Sequence, residues 1–284
     1  MTRLRMWENA MPLKISFTTL CCPDWTVPEI VSKAVKYGYD AVDFRCVTRE
    51  MAIWNLPEFS TEARDTARRI YDAGLAVSGF SSSARMFAAS ADKRRDHIEE
   101  IKRYAELCDL FGVQYIRVFG GKLEGTPLEE AIDISLDTLA RMSNAAGEAR
   151  IAVETHDDWV NTDYLAKLFK KVSADNVFVL WDLHHPFRQA GEAPEHTCEN
   201  IGSLTRYTHV KDSAPAADGG FVSKLPGQGG NVPLARMVDL LVAGGYDGYL
   251  TLEWEKMWHP EIADADVALP AYAPFLRSLA GRAS

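Results

Sequence analysis

The sequence predicts an α/β protein folded as a single (β/α)₈ TIM barrel, with its functional site at the C-terminal ends of the strands. The first observation is a repeated strand-helix unit: Gly38, Gly74 and Gly112 each end a predicted helix and precede a short apolar strand, at nearly equal intervals. The second is that polar side chains directly follow four buried apolar runs in the second half. Repeated units of this length imply right-handed crossovers and a parallel sheet.

The first half of the chain contains four predicted strands separated by helices. Thr26 and Glu29 form a capping-box pair that fixes the start of the first helix, and a second such pair, Thr126 and Glu129, marks the start of the fourth. Apolar and β-branched runs predict the strands. They lie at 13–19, 41–46, 76–82 and 115–119, with further helices predicted at 61–73 and 92–111.

The second half continues the pattern and brings the count to eight strands and eight helices. Strands begin at Ile151, Val177, Tyr207 and Tyr249, and helices are predicted at 163–172, 194–202, 233–243 and 263–279. An open doubly wound sheet is the competing architecture, but residues 20–23 lack the glycine-rich turn that such a sheet carries after its first strand.

The chain is predicted as one domain over residues 1–284. Residues 1–11 are predicted to be a loosely ordered N-terminal extension, with Met11 as a candidate start. The glycine- and proline-containing stretch 212–231 is predicted to be an active-site loop, because loops positioned by a rigid scaffold carry function.

Composition restricts the partners and the compartment. A chain of 284 residues buries roughly three quarters of its unfolded surface, so its core needs no disulfides. A net charge of -9 argues against nucleic acid or an anionic membrane as partner. Five scattered cysteines without CxxC spacing fit a reducing compartment, and neither a signal sequence nor a stretch of about 18 apolar residues occurs. We therefore expect a cytoplasmic protein with a small-molecule partner, as a monomer or a homo-oligomer.

Four ligand-type residues lie at the ends of predicted strands five to eight: Glu154, Asp182, His209 and Glu253. These ends are adjacent on one rim of a barrel. Three carboxylates that converge there repel one another unless a cation holds them together. An oxygen-rich set with one nitrogen predicts a single divalent ion, Mn²⁺ or Mg²⁺ in preference, with Co²⁺ or Zn²⁺ as alternatives. The competing interpretation is that each acid merely caps the helix after its strand.

The same stretches carry a family resemblance. The motifs IAVETH, VLWDLHHP, THVKD with a later GQGG, and LTLEWE resemble the second half of the xylose isomerase-like barrels, the sugar phosphate isomerase/epimerase superfamily. That superfamily includes ketose 3-epimerases and inosose dehydratases. The resemblance implies that the four rim residues are metal ligands and that Glu154 and Glu253 also act on substrate protons.

The resemblance includes one residue that contacts substrate in the ketose epimerases, and it fails at two other positions. His185 matches the histidine that contacts substrate in the ketose epimerases. Val160, six residues past Glu154, and Pro215, six past His209, stand where those epimerases carry a glutamate and an arginine. The sequence therefore departs from that subgroup within the superfamily.

Further substrate-binding candidates rest on position alone. His156 could contact substrate or the surroundings of the metal, or be a structural hydrogen bonder. Lys211 follows His209 by two residues and so shares its inner face, where it could bind a substrate oxyanion or pair with an acid. Arg45, at the end of the second strand, has the same two interpretations. Four aromatic residues could form walls of the pocket or belong to the core: Phe17, Trp54, Phe87 and Trp254.

The expected activity is isomerisation or epimerisation of a sugar, keto sugar or cyclitol. A metal that chelates a carbonyl and an adjacent hydroxyl oxygen would acidify the carbon between them, and the two glutamates would remove and return its proton through a cis-enediolate. A lyase of the inosose dehydratase type would use the same metal and base but expel a β-hydroxyl.

The sequence leaves two further functions as alternatives to a sugar isomerase or lyase. An apurinic-site endonuclease needs three zinc ions and histidines from early strands, but the earliest histidine is His97, within a predicted helix. A noncatalytic metal-binding protein would keep the ligands without using a proton-transfer pair.

Overall fold

The barrel is closed, and all its strands are parallel. The computed structural model describes residues 13–217 and 219–281. Its strands are β1 (Lys14–Thr18), β2 (Ala41–Phe44), β3 (Ala76–Arg85), β4 (Tyr115–Phe119), β5 (Arg150–Glu154), β6 (Val177–Asp182), β7 (Thr205–Val210), β8 (Asp212–Pro215), β9 (Phe221–Lys224) and β10 (Tyr249–Leu252). Strands β1 to β7 and β10 form the barrel, which closes because β1 pairs with both β2 and β10. The predicted (β/α)₈ fold is confirmed.

Helices separate the strands and cover the outside of the barrel. They are α1 (Val27–Tyr37), α2 (Ala63–Asp72), α3 (Ala91–Phe111), α4 (Leu128–Ala146), α5 (Thr162–Phe169), α6 (His185–Gln189), α7 (Pro194–Ile201), α8 (Leu234–Ala243) and α9 (Ala265–Ala280). The short helix α6, directly after β6, was not among the predicted helices. Within the described residues, no helix is both long and apolar enough to cross a membrane.

The two predicted capping boxes have different outcomes. At α1, the backbone nitrogen of Thr26 donates to Glu29 at 2.8 Å, as predicted. At α4, Pro127 occupies the N-cap position and no side chain caps the helix, so the prediction of a capping box at Thr126 is wrong. The extended ψ of 140° keeps Pro127 out of the helix, so the helix begins one residue later than a cap at Thr126 would require.

The barrel interior contains an apolar cluster below the rim that the carboxyl ends of the strands form. Ala152, Leu180 and Tyr207 form this inner cluster, separate from the main core between the strands and the helices. Side chains alternate along each strand, so the residue two positions after each member of this cluster also faces the barrel interior, but at the rim. Glu154, Asp182 and His209 are those residues. Phe17, by contrast, packs against Tyr39 in the main core, so of its two interpretations the structure supports a core residue.

The predicted active-site loop contains regular structure. Strands β8 and β9 form an antiparallel hairpin within 212–231, and Asp212 pairs with Lys224 at its base. The predicted extension, residues 1–11, lies outside the described part of the chain.

Candidate metal centre

Four strand ends bring one imidazole and three carboxylates together. Glu154 ends β5, Asp182 ends β6, His209 lies in β7 and Glu253 follows β10 directly. Each offers a ligand atom, and these atoms all lie within 4.8 Å of one another. All four side chains are buried. The structure thus assembles the four residues that the sequence singled out, and their role as ligands stays a prediction.

The imidazole lies between two of the carboxylates. Nδ1 of His209 is 3.1 Å from Oε1 of Glu154 and 3.2 Å from Oε1 of Glu253. The barrel register sets this approach, because Asp182 and His209 are paired residues of adjacent strands and His209 also pairs with Thr251, two residues before Glu253. The ring therefore presents Nδ1 to the acidic side of the site.

Two cationic side chains also contact the cluster. Nζ of Lys211 lies 2.5 Å from Oε2 of Glu253 and 2.9 Å from Oδ2 of Asp182. Nη1 of Arg117, from β4, lies 3.4 Å from Oε2 of Glu154. Lys211 thus pairs with two predicted metal ligands, and Asp212 is not its partner.

These contacts keep the two glutamates ionised. Burial raises the pKa of Glu253, but Lys211 and His209 outweigh burial, and the pKa lies well below its usual value. Burial also raises the pKa of Glu154, as does repulsion from Glu253. Arg117 and His209 outweigh these effects, so the pKa of Glu154 lies below its usual value. Burial lowers the pKa of His209, whereas Glu253 and Glu154 raise it well above normal.

The donor set fits a divalent cation. Oε2 of Glu154 and Oδ2 of Asp182 are buried atoms that have ion-pair contacts with Arg117 and Lys211 but no hydrogen-bond partner among the described residues. Buried polar atoms normally have such partners, and buried charges are paired or coordinate metals. Three carboxylates and one imidazole provide oxygen-rich coordination, which suits hard and borderline divalent ions.

A fourth carboxylate lies behind His209. Oδ2 of Asp43, in β2, is 3.9 Å from Nε2 of His209 and accepts a hydrogen bond of 2.8 Å from the hydroxyl of Tyr207. That hydroxyl also lies 2.8 Å from Oγ of Ser78. Asp43 is therefore held by the barrel lining on the far side of the ring from the acidic cluster. The sequence analysis missed it, although an acid inside the apolar strand AVDF was the available signal.

His185 and His184 make different contacts. Nδ1 of His185 lies 3.0 Å from the carbonyl oxygen of Thr155 and 3.4 Å from Oδ2 of Asp182. Nε2 of His184 is 2.9 Å from Oγ of Ser213, at the base of the hairpin. Burial and the nearby Lys211 lower the pKa of His184 to about 3, so this ring is neutral. His185 therefore borders the cluster, and His184 connects it to the hairpin.

The remaining predicted residues lie on one side of the rim, around Phe119. The ring of His156 is 4.5 Å from that of Phe119 and 5.0 Å from that of His185. Arg45 lies on the same side, where its Nη2 donates to Oγ of Ser83 at 2.9 Å. Arg117 is a further cation here that the sequence analysis missed, although a charged residue within the short strand YIRVF was the available signal.

Comparison with known proteins identifies the type of barrel. A family model described as "Xylose isomerase-like TIM barrel" matches residues 31–278. No curated protein matches the chain. The family match covers every strand end that contributes to the acidic cluster.

Solved structures share the fold at low sequence identity. The probable 3-DHS dehydratase AsbF from Bacillus anthracis has a TM-score of 0.75 and 17% identity, covering 93% of this chain and 98% of that one. The 3-keto-D-glucoside 4-epimerase YcjR from E. coli has a TM-score of 0.74 and 14% identity, covering 94% and 99%. The IOLI protein, solved with a zinc atom, has a TM-score of 0.75 and 19% identity, covering 95% and 96%. At these identities the similarity shows the fold.

Proposed function

Because the chain belongs to the xylose isomerase-like TIM barrel family, we propose that it is a metal-dependent isomerase or epimerase of a sugar, keto sugar or cyclitol. The observation that carries the proposal is the buried convergence of three carboxylates and one imidazole at the strand ends. The rim of the carboxyl ends is where barrels of this class carry their chemistry.

The ion would be held by Glu154, Asp182, His209 and Glu253, with Mn²⁺ or Mg²⁺ favoured by the oxygen-rich set. When bound, a divalent ion stabilises negative charge on a substrate oxygen, an effect worth several kcal/mol. Co²⁺ and Zn²⁺ remain alternatives, and a structural neighbour carries zinc.

Glu154 and Glu253 are proposed as the proton-transfer pair. They come from β5 and from the residue after β10, on opposite sides of the β6 and β7 strand ends, so they would approach a substrate from different directions. Both have pKa values below the usual range, so each carboxylate is ionised at neutral pH and able to accept a proton. One would remove the proton from the carbon next to the substrate carbonyl and release it to solvent, and the other, after taking a proton from solvent, would donate it to the enediolate.

Other side chains around the cluster are proposed to orient the substrate. His185 and His156 present adjacent rings beside Asp182. Lys211 is held by Glu253 and Asp182, and its ammonium group would stabilise negative charge on a substrate oxygen bound beside them. Arg45 would contact a more distant part of the substrate.

A dehydratase is the second candidate. Val160 and Pro215 replace the glutamate and arginine of the ketose epimerases, and Pro215 lies within the β8–β9 hairpin. The same metal and base would form the same enolate, from which a β-hydroxyl would leave as water after protonation. One structural neighbour is a probable dehydratase, which supports this alternative at the level of the fold.

Solvent exchange tests the proposed proton transfer. The metal-loaded protein is incubated in D₂O with a panel of keto sugars and keto cyclitols, and deuterium at the carbon next to the carbonyl is measured by NMR. We expect incorporation with either reaction, and a dehydrated product identifies the lyase. Glu154→Gln and Glu253→Gln should reduce turnover by about 10²-fold or more, because each removes a proton acceptor.

The matched control is Glu199→Gln, which alters an exposed carboxylate on α7 and should exchange like the wild type. Turnover with complete retention of the carbon-bound hydrogen would point to hydride transfer and contradict the assignment of both glutamates.

A further inference from the structure

Three guanidinium groups surround one aromatic ring at the rim of the barrel. The Cζ atoms of Arg117, Arg85 and Arg45 lie 3.7, 5.7 and 5.9 Å from the centroid of Phe119. Arg45 directly follows β2, Arg85 ends β3, and Arg117 lies within β4, which ends at Phe119. Stacking on the ring stabilises each cation, but like charges this close repel one another.

Two of these arginines are buried with unused donors. Arg45 is 5% exposed and Arg117 2% exposed. Nη1 of Arg45 and Nε of Arg117 have no hydrogen-bond partner among the described residues, and Nη1 of Arg117 has only its 3.4 Å ion pair with Glu154. Burial and the charge of Arg117 lower the pKa of Arg45 to about 10, so Arg45 is still charged at neutral pH. A buried charged donor without a partner costs free energy, and an anionic ligand would remove that cost.

The nearby carboxylates do not balance the three cations. Glu100, from α3, accepts a hydrogen bond of 2.5 Å from the backbone nitrogen of Ser83, and burial raises its pKa although all three arginines oppose that effect. Glu154 pairs with Arg117 but also belongs to the candidate metal centre. Within residues 13–217 and 219–281, no carboxylate lies within ion-pair distance of Arg85, which is exposed. Burial raises the pKa of Asp157, whereas His156 and Arg85 lower it, and this carboxylate is already paired with His156 at 3.4 Å. With Glu154 assigned to a cation, positive charge is therefore in excess around Phe119.

The arginine cluster adjoins the acidic cluster directly. Arg117 spans the two, since its Nη1 is 3.4 Å from Glu154 while its Cζ lies 3.7 Å from the Phe119 centroid. Phe119 also contacts His156, whose ring is 4.5 Å away. One small molecule could therefore reach both clusters at once. Lys211 does not compete for the same group, because Glu253 and Asp182 already hold its ammonium.

We propose that Arg45, Arg85 and Arg117 bind an oxyanion on the substrate, so that the substrate is an acid: a sugar or cyclitol derivative that carries a carboxylate or a phosphate. Arginine donors match the planar geometry of two carboxylate or phosphate oxygens. The inference deepens the proposed function and rests on it for the assignment of the bound anion to the substrate. It gives the early strands, which hold no predicted metal ligand, the role of selecting the substrate.

Simple anions test this site without knowledge of the substrate. The metal-loaded protein is heated in sodium acetate, sodium phosphate or sodium chloride of equal ionic strength, and its Tm is measured. Acetate, phosphate or both should raise the Tm by about 2 °C or more above chloride, because a ligand that binds only the folded state stabilises it. Arg85→Gln, at an exposed position, should reduce the shift, and Arg45→Gln/Arg85→Gln should abolish it. Arg68→Gln, on the exposed face of α2, should keep the full shift.

Each result of the melting experiment either supports or overturns the proposed anion site. A larger effect of acetate assigns a carboxylate to the substrate, and a larger effect of phosphate assigns a phosphate ester. Equal Tm values in all three salts overturn the proposal, as does a shift that survives in the double variant, because the anion would then bind the metal ion. Elemental analysis of the same samples separates the two claims. An anion effect without a bound metal contradicts the proposed function alone, and one metal ion without an anion effect contradicts this inference alone.

Discussion

At the residue scale, Lys211 determines the charge of the acidic cluster. Its ammonium lies between Glu253 and Asp182 and is 4% exposed on its side chain. Burial alone would lower its pKa, but Asp182 and Glu253 raise the pKa well above normal. The lysine is therefore a fixed positive charge, and the carboxylates beside it depend on it.

Removing that charge should lower stability without emptying the metal site. Lys211→Met leaves two buried carboxylates short of a partner, and we expect the free energy of unfolding to fall by about 3 kcal/mol. Lys102→Met removes an exposed pair with Glu99 and should cost less than about 1 kcal/mol. Urea unfolding of the metal-loaded proteins measures both, and elemental analysis should find the ion in each. Equal stability of the two variants would show that Lys211 is not needed to balance the cluster.

Asp43 should act on the metal through His209. Metal-binding histidines usually donate their second ring N–H to a carboxylate or a carbonyl oxygen, which fixes the tautomer and the ring orientation. Nδ1 of His209 faces the acidic cluster, and Asp43 faces Nε2 at 3.9 Å. Asp43→Asn should therefore weaken metal binding by about 10- to 100-fold. Competition with a chelating dye measures the affinity, with Asp65→Asn on the surface of α2 as control. The same affinity in both variants would rule out this role.

At the element scale, the β8–β9 hairpin is attached to the site through Ser213. His184 contacts Oγ of Ser213 at 2.9 Å, and Nη2 of Arg188 donates to its carbonyl oxygen at 3.0 Å. The base of the loop is closed by Asp212, whose Oδ1 accepts hydrogen bonds from the backbone nitrogens of Ser213 and Val232. Helix α6 thus connects the end of β6 to the hairpin.

A single methyl group should loosen this loop. A Cβ at Gly230 would lie 2.0 Å from Oδ2 of Asp212, closer than real Cβ contacts allow. Gly230→Ala should therefore displace the carboxylate, increase proteolysis within 216–230 and raise KM, while the barrel remains folded. Gly281→Ala places its methyl in open space and serves as control. Unchanged proteolysis and KM in Gly230→Ala would mean that the hairpin position does not depend on Asp212.

The sequence predicted the repeated strands and helices of the barrel better than the short segments that interrupt them. Helix-ending glycines such as Gly38 and Gly112 adopt positive φ as expected, and short apolar runs became barrel strands. The hairpin and α6 were missed, because their contacts come from Ser213 and Arg188, which are distant in sequence from one another. Strand alternation placed Lys211 correctly on the inner face, but its partners come from β6 and from the segment after β10 and have no local signature.

At the scale of the whole molecule, the barrel brings like charges together in a buried region. The chain carries a net charge of -9, and three carboxylates lie within one small cluster. The predicted ion, Lys211 and Arg117 offset this charge. The folded state therefore gains stability from any cation that it binds and the unfolded chain does not.

Removal of the ion should lower the melting temperature. With free metal at about 100 times Kd the stabilisation is about 2.7 kcal/mol, which corresponds to a fall of about 5 °C or more on chelation. Scanning calorimetry with and without a chelator measures the shift. Asp182→Ala should melt at the same temperature in both conditions. If the Tm of the wild type changes neither with chelator nor with added metal, the claim that metal binding stabilises the folded protein would be contradicted.

Metal stoichiometry tests the central claim most directly. Elemental analysis of active protein should find one divalent ion per chain. Asp182→Ala and His209→Ala should contain none, with circular dichroism that still shows the folded barrel and with activity lost, because each removes one of four converging ligands. Active protein without any metal, or with three zinc ions per chain, would contradict the account.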